Sequence, residues 1–119
     1  MDLMIVDDSM IIRNKITRAM ADFDLNIVGI AKNGVEAVAL MKARQPKIAT
    51  MDLTMPEMDG IECIEELIKI DPNMIILVVS ALSDKSTAIQ ALQNGAQGFL
   101  CKPFSEGDLT TALSKLINR

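Results

Sequence analysis

The sequence predicts an α/β domain in which five parallel strands form one doubly wound sheet, order 2-1-3-4-5, with five helices on its two faces. Three observations lead there. Short continuous runs rich in Ile and Val alternate strictly with segments of helical period, as strands buried on both faces of a parallel sheet require. Helix start and stop signals fall between those runs. No repeat, low-complexity segment or linker interrupts the alternation, which implies right-handed crossovers. The strand order itself follows by analogy with known open sheets.

The elements follow in order. The strand segments are residues 3–6, 27–31, 48–52, 75–80 and 98–101, and the helical segments between them run for about 10 to 13 residues. Strand 1 is followed by Asp7-Asp8-Ser9, able to cap a first helix. Asn33 with Glu36 marks the start of helix 2. Asp71-Pro72 stops helix 3, because proline disfavours helical geometry in the residue before it. Gly95 stands where helix 4 needs a left-handed cap. Ser105 and Asp108 form a capping box for helix 5, whose Leu109, Ala112, Leu113, Leu116 and Ile117 recur at helical spacing. Gly60, after Pro56-Glu57-Met58-Asp59, reads as a loop glycine that tolerates positive φ.

Bulk properties bound the function. A chain of 119 residues is one domain, taken as 1–119, and buries a core without staples. It lacks the long apolar run of a membrane span and the charged start of a secretory signal. Both ends stop at the edges of regular elements, so the chain is a self-contained unit or a trimmed part of a longer one. Cys63 and Cys101 form no CxxC pattern, and with no His a Cys/His zinc site is excluded; the expected setting is a reduced cytoplasm. A net charge of −4, no Trp or Tyr and only three Phe argue against direct nucleic-acid binding. The nine Met residues read as core filler.

Chemistry concentrates at the ends of the strands. Asp7 and Asp8 follow strand 1, Asp52 ends strand 3, Ser80 ends strand 4 and Lys102 follows strand 5. In the predicted topology these side chains converge on the carboxyl edge of the sheet, at the switch point between strands 1 and 3. Crowded carboxylates repel one another unless a cation joins them, which implies a divalent metal. Mg²⁺ would take oxygens from Asp8 and Asp52 and a backbone carbonyl such as that of Thr54, with Asp7 acting mostly through water. Asp52 is either ligand or nucleophile, since a carboxylate can attack phosphorus to form an aspartyl phosphate. Lys102 suits the neutralisation of a phosphoryl oxygen, and Ser80 can donate a hydrogen bond to another. A cis Lys102–Pro103 bond would aim the lysine. The plainer readings are a helix cap for Asp7-Asp8-Ser9, a solvated lysine, a turn serine, and a core role for Phe99.

Taken together, Asp7-Asp8, the run Met51-Asp52-Leu53-Thr54-Met55-Pro56-Glu57-Met58-Asp59-Gly60, Ser80-Ala81 and Lys102-Pro103-Phe104 resemble the receiver domain of bacterial two-component response regulators. The resemblance spans the chain and is greatest to the single-domain, CheY-like chemotaxis regulators, whose fold is flavodoxin-like. It implies that Asp52 accepts a phosphoryl group from the phosphohistidine of a histidine kinase. It also implies that Asp7, Asp8, Asp52 and the Thr54 carbonyl bind Mg²⁺ and that Lys102 contacts the phosphoryl group. Ser80 would then move toward that group and Phe99 rotate into the space it leaves. The surface of helix 4, strand 5 and helix 5 would change its preference for a downstream protein target. Phe99 stands where many relatives have Tyr, so a phenolic hydrogen bond is lost. Thr54 and Leu82 occupy positions that tune phosphoryl lifetime in such domains.

The expected protein is a cytoplasmic switch rather than a turnover enzyme, able to phosphorylate itself from a small phosphodonor. It would be a monomer with a phosphorylation-dependent dimer open to it, and without a membrane or nucleic-acid partner. The alternatives are a lone receiver in a non-chemotaxis phosphorelay, a receiver that signals by docking alone, and two different classes. A haloacid dehalogenase-type phosphatase resembles Asp-x-Asp-x-Thr and needs an acid where Thr54 stands. A flavodoxin-like FMN carrier needs a hydroxyl-rich loop after strand 1 and aromatics around the flavin.

Overall fold

The structure is a computed structural model that describes residues 1–53, 59–81 and 85–117. The strands are β1 (Asp2–Val6), β2 (Asn26–Ala31), β3 (Ile48–Met51), β4 (Ile75–Ser80) and β5 (Gly98–Cys101). The helices are α1 (Met10–Ala19), α2 (Gly34–Arg44), α3 (Gly60–Ile70), α4 (Lys85–Gln93) and α5 (Glu106–Ile117), with a 3-10 turn at Met20–Asp22 after α1. The sheet order is β2-β1-β3-β4-β5 with every pairing parallel, the predicted topology. Asp52 lies one residue past β3 rather than inside it.

Alternation along the central strands divides the core into two layers. Met4, Val6, Ala49, Met51, Ile76 and Val78 face α2, α3 and α4, meeting Met41, Ile64, Leu67 and Ala91. Leu3, Ile5, Ile48, Leu77 and Val79 face α1 and α5, meeting Ile16, Leu109 and Leu113. Burial on both faces holds for β1, β3 and β4; β2 and β5 are edge strands and stay mostly half-exposed. Met4, Met20, Met41, Met51 and Met74 do fill the core, whereas Met10 is exposed.

The punctuation works atom by atom. The Ser105 hydroxyl accepts from the Asp108 N–H at 3.0 Å while the Asp108 carboxylate accepts from the Ser105 N–H at 3.1 Å, a reciprocal box. Asn33 caps α2 by accepting from the Glu36 N–H at 2.8 Å, but Glu36 reaches back to the Lys32 N–H, one residue earlier than a box requires. Gly95 closes α4 with φ +122°: its N–H bonds Leu92 O and the Ala96 N–H bonds Ala91 O, the paired bonds of a Schellman end. The α3 chain leaves helical geometry at Asp71, as the following proline demands. Gly60 departs from expectation, because it is the first residue of α3 and its φ is not positive. A Cβ there would lie 2.4 Å from Leu53 Cα and 2.5 Å from Asp52 O, so glycine is needed for close backbone approach.

Candidate functional site

The site residues sit just beyond strand ends, and the backbone ladders that order the strands continue far enough to hold them. The Asp7 N–H donates to Ala31 O at 3.0 Å, at the end of β2. The Asp52 N–H donates to Val6 O at 2.9 Å, at the end of β1, and the Lys102 N–H to Ser80 O at 2.8 Å, at the end of β4. Each functional backbone is thus fixed to a neighbouring strand, and the side chains inherit that order.

Between Asp7 and α1 the chain makes a tight cap. Ser9 is the N-cap, its hydroxyl accepting from the Ile12 N–H at 3.4 Å, and Asp7 Oδ1 accepts from the Ser9 N–H at 2.9 Å. The capping alternative therefore describes Ser9 and one oxygen of Asp7. The other, Oδ2, is buried and accepts no hydrogen bond among the described residues; the Lys102 ammonium touches it at 3.0 Å as a charge contact outside hydrogen-bond geometry.

One oxygen each from Asp7, Asp8 and Asp52 lies within 4.8 Å of the others. Asp7 and Asp52 are buried, at 1% and 4% exposure, whereas Asp8 is open to solvent at the mouth. Lys102 Nζ also approaches Asp52 Oδ2 at 3.8 Å, so one half-buried ammonium faces two buried carboxylates. The Lys102–Pro103 bond is cis. Ser80 is fully buried at the end of β4. The register pairs Val78 with Phe99 and Ser80 with Cys101, which makes Ser80 and Phe99 diagonal neighbours. Phe99 is half-buried against the α2–α4 core layer. Thr54 and Leu82 lie outside the described residues.

Two contributors were not legible in the sequence. Gly60, whose N–H donates to Leu53 O at 3.0 Å, seats the start of α3 against the backbone of Asp52 and Leu53. Its Asp-Gly context read equally well as a turn. Lys15 of α1 donates to Phe104 O, and its ammonium lies 4.8 Å from the Phe104 ring centroid. No local pattern announces a contact between residues so distant along the chain. Cys63 is unrelated to this chemistry: burial, then Asp59, Glu62 and Glu66, push its thiol up to about 12, and it donates weakly to Gly34 O at 3.8 Å.

Fold and side chains together define an open α/β domain with an acidic pocket and a facing lysine at the switch point of its sheet. Comparison with known proteins assigns the lineage. The model of the response regulator receiver domain matches residues 3–114, and the chain belongs to that family. It is 41% identical over 114 residues to the chemotaxis protein CheY of Thermotoga maritima, covering 96% of this chain and 95% of that protein. It is 38% identical over 116 residues to CheY of Bacillus subtilis, covering 98% and 97%. Among solved structures, the CheX-CheY-BeF3-Mg complex of Borrelia burgdorferi contains a chain that superposes with a TM-score of 0.93 at 30% identity, covering 98% of this chain and 88% of that one. The protein is thus a two-component receiver, not a metabolic enzyme, and among the described residues no helix is long and apolar enough to cross a membrane.

Proposed function

We propose that this chain is a chemotaxis-type signalling switch, acting as one receiver domain over 1–119, that accepts a phosphoryl group on Asp52. The observation that carries the reading is the pairing of three clustered carboxylates with the Lys102 ammonium at the end of β5. An Asp52 oxygen attacks phosphorus, and the bond from phosphorus to the donor breaks with its electron pair leaving on the donor, either the kinase's histidine or the carboxylate of an acyl phosphate. Lys102, already within reach of Asp52, moves from carboxylate to phosphoryl oxygen as charge transfers outward. Ser80 donates to a second oxygen, and Phe99 follows into the space released. The haloacid dehalogenase alternative has no acid at Thr54, and the family match runs the length of the chain rather than toward it.

The donor set fits Mg²⁺. All three groups are hard oxygen ligands, one is a buried oxygen accepting no hydrogen bond among the described residues, and their span suits a single ion that retains water. Asp8 and Asp52 would bind it directly, Asp7 largely through water, and the Thr54 carbonyl would complete the protein's share. Mg²⁺ when bound supplies neutralisation of the phosphoryl oxygens. The chain's own part is to hold those carboxylates on strand ends that cannot drift apart.

The partners in this reading are a histidine kinase and a downstream protein, in a cytoplasmic setting. Supporting the second, β5 and α5 form a groove of about 430 Å³ whose wall includes Phe99 and Leu100, and Ile89 and Leu92 of α4 are exposed. The relatives named CheY favour chemotaxis over another phosphorelay. The test is intact-mass measurement after incubation with acetyl phosphate. The wild type gains one phosphoryl group only with Mg²⁺, and Asp52→Asn gains none; equal uptake by that variant overturns the assignment.

A further inference from the structure

The segment after β5 carries Lys102 into the acidic pocket, and the atom that pins this segment belongs to α1. We propose that Lys15 is a positioning residue for Lys102, fixing the ammonium that faces Asp7 and Asp52; the catalytic part of this inference rests on the phosphoacceptor reading above.

Three observations meet at one place. Lys102 leaves β5 with its N–H bonded to Ser80 O, and two residues later Phe104 is buried at 3% exposure in the layer that also holds Ile16. The Phe104 carbonyl accepts from the Lys15 ammonium, which also sits over the Phe104 ring, so charge–dipole and cation–π attraction hold the same residue. One turn further along α1, Arg18 Nε reaches Glu106 Oε1 at 3.2 Å, continuing the contact onto the start of α5.

The consequence is geometric. Lys102 is tethered on its amino side by β4 and on its carboxyl side by Lys15. The helix bearing Lys15 is the one whose capping turn holds Asp7. Lys15 therefore joins the two halves of the pocket, the acids after β1 and the lysine after β5. Removing it frees the Phe104 carbonyl and lets Lys102 sample positions away from Asp52. Displacements of about an ångström at reacting groups are costly to rate even when the fold survives. A purely stabilising tie would act regardless of what stands at position 102, and this distinguishes the two roles.

The experiment compares wild type, Lys15→Met, Lys15→Arg, Lys102→Ala and the Lys15→Met/Lys102→Ala double variant. It follows labelling by acetyl phosphate at saturating Mg²⁺, with Mg²⁺ affinity measured alongside. Lys15→Met, which keeps the apolar stem, should label about tenfold more slowly with its Mg²⁺ affinity changed less than about twofold. Lys15→Arg, still a donor and a cation, should recover most of the rate, and the double variant should be no slower than Lys102→Ala alone. An unslowed Lys15→Met, or the same slowing in the Lys102→Ala background, overturns the proposal. The lysine ¹³Cε resonances give an arm that needs no phosphodonor: the Lys102 line should shift in Lys15→Met, and an unmoved line overturns the positioning. If the wild type takes up no phosphoryl group, the phosphoacceptor reading has failed, and the resonance arm still decides what Lys15 does.

Discussion

Both edges of the sheet carry an aspartate facing a lysine, and burial separates them. At the amino edge, Lys47 before β3 and Asp71 after α3 stand 3.9 Å apart, with side chains 67% and 23% exposed. At the carboxyl edge, Lys102 and Asp7 stand 3.0 Å apart, with exposures of 17% and 1%, and two further carboxylates crowd the same space. The first pair is screened by water and salt and can be lost with little consequence. The second is held by strand ends in an environment where charges interact strongly, and it contains more negative than positive charge. The proposed ligand site rests on that excess; the amino edge has no such excess in its pair.

The largest effect is expected at Asp52. Asp52→Asn should abolish phosphoryl uptake and, without Mg²⁺, raise the midpoint of urea unfolding by relieving repulsion within the acidic cluster, a gain on the order of 1 kcal/mol. Next comes Lys102→Met, which leaves Asp7 and Asp52 without their cation. It should lose about 1–3 kcal/mol of stability in metal-free urea unfolding, and Mg²⁺ should restore more stability to it than to the wild type. An equal response to Mg²⁺ in both would separate the lysine from the metal site.

Gly60→Ala should cost about 1–3 kcal/mol, since its new Cβ meets backbone atoms that cannot swing aside, and it should slow labelling because one of them is the Asp52 carbonyl. Cys63 provides a contrast in buried ionisable groups. Burial raises its folded value to about 12 from an ordinary thiol's 9.0, so the stability it contributes is complete below pH 9 and lost as pH rises toward 12. Relative to Cys63→Ala, the wild type should lose stability on the order of 2 kcal/mol between about pH 9 and pH 10.5, measured by urea unfolding. Lys47→Ala should change stability by less than about 0.5 kcal/mol and leave labelling unchanged, as its edge predicts.

Much of this was legible in the sequence for identifiable reasons. Alternation of apolar runs with capped helical segments fixes strand count and parallel pairing, since each Asx, Ser, Gly or Pro signal acts on its own neighbours, as at Asn33, Asp71, Gly95 and Ser105. The pocket was legible because its acids and lysine each follow a strand, and parallel strands bring such residues to one edge. What escaped was distance and approach. Gly60 could not be told from a turn glycine without seeing the Asp52 backbone against it. Lys15 gave no sign of reaching Phe104, because the contact depends on how α1 docks beside α5. The half-exposure of β2 and β5 follows from their edge positions, which burial patterning within a single run does not encode.

In the proposed reading, the carboxyl edge holds more negative charge than its lysine balances and is completed by a divalent cation. Calorimetric titration of Mg²⁺ into the metal-free wild type and into Asp8→Asn decides the matter. One saturable site per wild-type chain is expected, with marked weakening in the variant, whose backbone and buried acids are untouched. Absence of binding to the wild type, or equal binding to both proteins, would contradict it.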